Sequence, residues 1–313
     1  MRAIIYKDYG DPSVLQLAEV AQPKPEKDEV LIRVMAAGVN PVEARLRSGE
    51  ARFLIPGGFP RIPGYDVAGI VEACGDNGSF SVGDRVLAYL YRLYGGAYAE
   101  FVTCRDRCVA AIPAAMPFEE AAAIPLAGST ALQSLRDHGH MQASNEVLVN
   151  GGSGGVGAFA VQIAKANGAR VTAVASGKHE DFVRSLGADD FINYEDQNFS
   201  DLDRRWDIVF DAAGKSSFRR AKRVMNETGY FVSTEPSFRG LVMSLATLPC
   251  KKKGRIMLAI PRAEDLRELV RMYSADQLKV TVAETFSHGD AEQAHVRIEK
   301  GGFSGKLVLN IAE

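Results

Sequence analysis

The sequence predicts an α/β protein that joins a partly open β-barrel to a doubly wound parallel sheet. Three observations carry that expectation. Short β-rich runs separated by Gly and Pro turns fill the chain up to about Pro117. Strands and helices then alternate as far as Ile260, and a glycine-rich turn, Gly151–Gly157, lies between a hydrophobic strand and an apolar helix.

The 313 residues, 46% hydrophobic and 24% charged, are enough for two domains with separate cores. A formal net charge of −2 gives no electrostatic reason to expect a nucleic-acid or anionic-membrane partner. The densest basic run, Lys251-Lys252-Lys253, is short enough to be a solvated turn.

The chain opens Met-Arg-Ala-Ile-Ile-Tyr, an immediate strand in place of a secretory signal. No apolar run approaches the roughly 20 residues of a membrane span. Cys74, Cys104, Cys108 and Cys250 contain no CxxC pair and read as reduced thiols, so the expected location is the cytosol, in cytoplasmic solution.

In the first section, Glu29–Met35, Val67–Glu72 and Arg85–Tyr89 are strands, with turns at Gly75–Gly78 and Val82–Asp84. In the second, Glu146–Asn150 is a buried strand and Gly157–Asn167 a helix stopped by Gly168. The strand Arg170–Ala175, a helix over His179–Leu186, and strands Asp190–Asn193, Trp206–Asp211 and Gly229–Ser233 continue the alternation. Units of this length require parallel strands joined by right-handed crossovers. Past Pro261 come an amphipathic helix, Ala263–Tyr273, mixed signals, and a final strand, Lys306–Asn310.

Gly151–Gly157 reads Gly-Gly-Ser-Gly-Gly-Val-Gly, so Gly152, Gly154 and Gly157 satisfy GxGxxG where strand passes to helix. Small residues allow a tight turn and close approach of the backbone to a pyrophosphate, and the helix N-terminus offers free N–H groups to the anion. Gly152, Ser153, Gly154, Gly155, Val156 and Gly157 are therefore expected to bind a dinucleotide. An acid at the end of the second strand would bond the ribose 2′-hydroxyl of NAD. Here the stretch is Ala175-Ser-Gly-Lys178, and Ser176, Lys178 and Tyr194 suit a 2′-phosphate, so NADPH is the expected cofactor.

Six segments in this order resemble the zinc-independent quinone oxidoreductase, or zeta-crystallin-like, branch of the medium-chain dehydrogenase/reductase superfamily. They are Ala36-Ala-Gly-Val-Asn-Pro-Val42, Pro63-Gly-Tyr-Asp-Val-Ala-Gly69, Val82-Gly-Asp-Arg-Val86, Gly95-Gly-Ala-Tyr-Ala-Glu100, the glycine loop, and Gly305-Lys-Leu-Val-Leu309. The resemblance covers essentially the whole chain. It implies a GroES-like catalytic domain from residues 1–120, completed by 261–313, and a Rossmann NADP-binding domain over 121–260. It also implies hydride transfer from NADPH in the cleft between them, and a homodimer joined through the edge strand Arg255–Ile260.

Zinc alcohol dehydrogenases share the superfamily. Where they carry cysteine and Gly-His-Glu, this chain has Asn40 and Gly64-Tyr65-Asp66, and the third ligand region, Leu126–Thr130, offers neither Cys nor His. Ala88–Glu100 lacks the four-cysteine lobe, Cys104 and Cys108 have no second pair, and His138, His140, His179, His288 and His295 are scattered. No metal is expected. Without a Lewis acid, the fitting acceptor already delocalises incoming charge: a quinone, or a carbonyl conjugated to an alkene.

Candidate catalytic residues are Asn40, to orient a carboxamide or carbonyl; Tyr65, to donate to an oxyanion; and Thr130, beside the nicotinamide ribose or substrate. Phe53, Tyr91 and Tyr94 are candidates for the cleft wall, and Arg47–Arg61 and Pro236–Lys253 for loops that set specificity. Ala212, Ala213, Gly214, Ser233 and Thr234 follow strand ends and are expected beside the cofactor. Asp211 is expected to bond backbone N–H groups rather than act as an acid. The alternatives are an enoyl-thioester or alkenal reductase using the same hydride chemistry, and a weakly catalytic NADPH-binding regulatory protein.

Overall fold

The computed structural model describes residues 1–50, 52 and 58–312. A two-stranded ribbon, β1 (Arg2–Ile5) and β2 (Gln16–Glu19), opens the chain. β3 (Glu29–Val39) runs into helix α1 (Pro41–Ser48), and β4 (Asp66–Cys74), β5 (Arg85–Tyr89), β6 (Phe101–Arg105) and β7 (Val109–Ala111) follow. Helices α2 (Phe118–Ala123) and α3 (Pro125–Gln133) lead into the alternating section.

That section holds β8 (Glu146–Asn150), α4 (Gly155–Ala166), β9 (Arg170–Ala175), α5 (Glu180–Ser185), β10 (Asp190–Asn193), β11 (Trp206–Asp211), α6 (Phe218–Ala221), β12 (Met225–Ser233), α7 (Phe238–Ala246) and β13 (Lys253–Ile256). Then come α8 (Ala263–Ser274), β14 (Val282–Ser287), α9 (Ala291–Lys300) and β15 (Lys306–Asn310).

β8 to β13 form one sheet in the order β10-β9-β8-β11-β12-β13, with every pair parallel. The chain winds outward in both directions from β8, so the β8/β11 junction is the topological switch point, where α/β sheets bind ligands. The other large sheet, β14-β15-β3-β4-β5-β7 with β6 on β3, draws on both ends of the chain. Its β3–β4 and β15–β3 pairs are antiparallel, whereas β14–β15 is parallel.

Alternation explains the barrel. Val30, Ile32 and Val34 of β3 are buried in the barrel core, Ala37 and Val39 continue that face past a bulge, and the opposite side carries the exposed Arg33. The parallel strands read as continuous apolar runs because both faces are covered: Val147, Leu148 and Val149 are buried, as are Val209 and Phe210. Trp206, at the foot of β11, is fully buried and its indole N–H donates to the Thr172 hydroxyl at 3.0 Å. α2 packs on β3, β4 and β15, while α3 packs on α4 and α8, so this helix pair ties the two sheets together.

Three expectations about elements change. Pro236–Lys253 is not a loop, because it contains α7, capped by the Ser237 side chain accepting from the Gly240 N–H. The edge strand is Lys253–Ile256 rather than Arg255–Ile260. The Gln133 side chain takes both the N–H and the carbonyl of Ile260 and draws the chain off the sheet. Arg47–Arg61 begins inside α1, with Arg47 buried and paired to Glu299 of α9.

Candidate active site

The glycine loop turns from β8 into α4 along one wall of a cleft of about 470 Å³. Its glycines serve different ends. A Cβ on Gly157 would stand 2.0 Å from the Gly151 carbonyl oxygen, so only glycine lets the helix leave the strand this tightly. A Cβ on Gly155 would meet Lys306 at 2.7 Å, where that side chain crosses from the barrel. At Gly154 nothing but the Gly151 oxygen, 3.6 Å away, would touch a Cβ, so the protein itself leaves that space free. The helix N-terminus, the free space and the anion-binding amides together fit a pyrophosphate. Ser153, Gly154, Gly155, Val156 and Gly157 all line the cleft, whereas Gly152 packs against Ala173.

Past β9 and β10, Ser176, Lys178 and Tyr194 line the same cleft, and His179 and Glu195 join them. Tyr194 is 60% exposed, open to a ligand. The facing wall comes from the far end of the chain, with Gly301, Gly302, Phe303 and Gly305 between α9 and β15. The walls touch: the Gly305 N–H donates to the Ser153 carbonyl at 3.0 Å.

At the switch point Ala212 and Ala213 line the cleft. Gly214, with φ of +64°, turns the chain beyond them. Ser233 and Thr234 do not extend into the cleft. Ser233 lies 3.5 Å from Asp211, and the Thr234 hydroxyl donates to the Ala212 carbonyl at 3.2 Å, so both brace the strand ends. Asp211 accepts from the Asn150 amide and from the Lys215 and Ser216 N–H groups, the backbone-bracing role expected for it.

The barrel side holds the feature least visible in the sequence. Asn40 caps α1, and its side-chain amide donates to Glu43 and Asp66, each at 3.0 Å. Its carbonyl oxygen accepts from Lys306, whose ammonium also donates to the Val39 carbonyl at 3.2 Å and lies 3.5 Å from Asp66. Asp66 accepts in addition from the Leu126 N–H at 2.7 Å, which anchors α3. All four side chains are buried.

Two carboxyl groups therefore share one cation. Lys306 lies against Asp66, and Glu43, hydrogen-bonded to Asn40, is pushed up to about 8 by burial, its bonds to Asn40 opposing the shift. Burial raises Asp66 as well, with Lys306 opposing. Glu43 and Lys306 were missed by sequence reasoning. Glu43 had a local signal, an acid three residues after the Asn40 cap, whereas Lys306 meets Asn40 only after folding.

The catalytic expectations need correction here. Asn40 lines the cleft, but its amide hydrogens and carbonyl oxygen are committed to Glu43, Asp66 and Lys306, so it positions neighbours rather than offering a free donor. The Tyr65 hydroxyl donates to the Leu93 carbonyl at 2.8 Å, and burial raises its pKa, so its proton is already engaged. Thr130 is buried one turn beyond Leu126 and Ala127, which do line the cleft. Tyr94 stacks under Arg61 at 4.2 Å, Tyr91 is exposed beside Arg107, and Phe53 lies outside the described residues.

These features also bear on metal chemistry. Among the described residues no cluster of three His, Cys, Asp or Glu side chains is placed to hold an ion. Asn40 and Asp66, at the cysteine and glutamate positions of the zinc-branch pattern, are bonded instead to the Lys306 ammonium.

A parallel sheet with a phosphate loop at its switch point, facing a barrel across a cleft, defines a dinucleotide-dependent dehydrogenase or reductase. Comparisons narrow the class. Residues 26–114 match the alcohol dehydrogenase GroES-like domain, and residues 186–309 the zinc-binding dehydrogenase family. A quinone-oxidoreductase homolog, chloroplastic, from Spinacia oleracea is 31% identical over 99% of this chain and 98% of its own. An NADPH-dependent alkenal/one oxidoreductase, chloroplastic, from Arabidopsis thaliana is 38% identical over 78% of this chain and 66% of its own. The structure of the quinone oxidoreductase from Coxiella burnetii superposes with a TM-score of 0.92 at 30% identity, covering 100% of this chain and 99% of that one. The chain belongs to the zinc-independent quinone oxidoreductase branch of the medium-chain dehydrogenases/reductases.

Proposed function

We propose that this protein is an NADPH-dependent reductase that delivers hydride to a quinone or an α,β-unsaturated carbonyl without zinc. The observation that carries the reading is the pairing of a phosphate loop and Lys178 in one wall of the cleft with a barrel wall whose Asp66 is already matched to Lys306 and whose Glu43 is bonded to Asn40. NADPH, when bound, supplies the hydride. The loop amides and Lys178 hold the phosphates, while Leu126, Ala127, Ala212 and Ala213 give the cleft apolar surfaces.

The Asn40–Glu43–Asp66–Lys306 network fixes β3, α1, β4 and β15 relative to one another and so sets the width of the cleft. The Lys306 ammonium is committed to Val39, Asn40 and Asp66, and a conjugated acceptor, which spreads the incoming charge itself, needs only orientation and water exclusion. Quinone and alkenal/one reduction are the activities carried in relatives' names, and they are the two acceptor classes proposed here.

Residues 1–120 with 261–313 are assigned to the catalytic domain and 121–260 to the cofactor domain. The free edge of β13, flanked by the exposed Leu258 and Ile260 and by Phe238, Leu241 and Leu245 of α7, is assigned to a homodimer interface. Among the described residues no helix is long and apolar enough to cross a membrane, and a cytosolic location is proposed with that in view.

The test is oxidation of NADPH and of NADH by chelator-treated protein against quinones, enones, saturated ketones and simple alcohols. NADPH-preferring turnover confined to conjugated acceptors is expected. Zinc-dependent alcohol oxidation would overturn the reading.

A further inference from the structure

Sequence reasoning placed the 2′-phosphate of the cofactor on Ser176, Lys178 and Tyr194. The structure adds an obstacle and a remedy. Glu195 lies on the same rim, its carboxylate accepting from the Gly177 N–H at 3.4 Å, and opposes an incoming phosphate dianion. Lys178 already donates to the Gly302 carbonyl at 3.2 Å, so its single positive charge faces one carboxylate on the same rim. A further donor is needed for strong preference.

His179 occupies that place. It lines the cleft next to Lys178, and its Nδ1 is 2.9 Å from the hydroxyl of Ser304, in the glycine-rich segment between α9 and β15. When Ser304 donates to Nδ1, the neutral ring carries its proton on Nε2, which has no partner among the described residues. The contact spans 125 residues and joins the two walls of the cleft.

We propose that His179 is a specificity-determining residue for NADPH over NADH, donating from Nε2 to the 2′-phosphate while Ser304 of the opposite wall fixes its tautomer. Recognition of the phosphate is then shared between the two walls, and Ser304 acts as a positioning residue. Burial and the neighbouring Lys178 both lower the His179 pKa, with Glu195 opposing, so the tautomer rather than a fixed charge is what Ser304 controls at neutral pH.

This inference rests on the NADPH reading, and calorimetry separates the two. Adenosine 2′,5′-bisphosphate and AMP, which differ only in the 2′-phosphate, are titrated into the intact protein and into His179→Ala, His179→Gln and Ser304→Ala. Wild type is expected to prefer the bisphosphate. His179→Ala should reduce that preference about tenfold, the scale of one hydrogen bond to a charged group. Ser304→Ala should reduce it a few-fold, and His179→Gln, which keeps a donor at similar reach, should restore part of it. Equal weakening of both ligands, or a preference held within twofold in His179→Ala, overturns the role of His179 and leaves the cofactor reading standing. A wild-type protein with no preference for the bisphosphate overturns both.

Discussion

The two ends of the cleft are built in opposite ways. At the adenosine end the polar side chains are left available to a ligand: Tyr194 and Lys178 are exposed, and the loop amides lie open at a helix N-terminus. At the barrel wall the polar side chains are turned on one another, with Asn40, Glu43, Asp66 and Lys306 all buried in one network. The first end can bind by charge, because its groups lose water only when a phosphate replaces it. The second cannot, and contributes shape and rigidity. An enzyme divided in this way grips its cofactor and leaves most of the electronic demand to the acceptor.

The largest effect should come from breaking the buried network. Lys306→Met leaves Asp66 without its cation, and uncompensated buried charge costs about 3–5 kcal/mol. Chemical denaturation should register that loss at neutral pH, and adding Asp66→Asn should recover part of it. A loss below about 1 kcal/mol would mean that water reaches the network and that the barrel wall resembles the adenosine end after all.

The cofactor end should break next, through geometry. Gly157→Ala places a Cβ 2.0 Å from the Gly151 oxygen, so the loop must move. Turnover with NADPH should fall about 100-fold, the scale of misplacing a reacting group by an ångström. Lys178→Ala sharpens the contrast by charge alone: NADPH affinity should fall about 10- to 100-fold, the range for a hydrogen bond to a charged group, and NADH affinity much less.

The network also titrates. Glu43 is raised from 4.5 to about 8, so the folded chain holds a proton that the unfolded chain releases. Its stabilising contribution is complete below about 4.5 and declines as pH rises through about 8. Glu43→Gln should flatten that decline in thermal-melt profiles between pH 5 and 9, and profiles that stay parallel would place the titration elsewhere. The smallest effect is expected at Tyr65. Tyr65→Phe loses the bond to Leu93, about 1 kcal/mol of stability, with turnover reduced less than threefold. A hundredfold loss of turnover would restore Tyr65 as a proton donor.

The same division decided what could be read from sequence. The cofactor wall is built from local pattern. Gly151–Gly157 carries its meaning in consecutive residues, and Ser176 and Lys178 follow a recognisable strand, so their place in the cleft was legible. The alternation of apolar strands with helices likewise announced the parallel sheet, although not that Gln133 would pull Ile260 off its edge. The barrel wall is built from residues distant in sequence. Lys306 and Asn40 are 266 residues apart, and a lysine in a β-run carries no sign that it will be buried beside two acids. Tyr65 misled for the same reason, because its partner, the Leu93 carbonyl, belongs to a turn whose position only the folded barrel fixes. α7 is the exception, because Phe238, Leu241, Val242 and Leu245 recur at helical spacing and announce a helix, yet the stripe faces outward and packs in neither core.

The central claim is that a conjugated acceptor takes the hydride directly. It is tested by one labelled turnover: NADPH deuterated at both C4 positions, a cyclic enone, chelator-treated protein, and the product analysed by NMR. Deuterium on the β-carbon of a saturated ketone is the predicted result. Deuterium on the carbonyl carbon of an allylic alcohol would show direct carbonyl reduction and contradict the account.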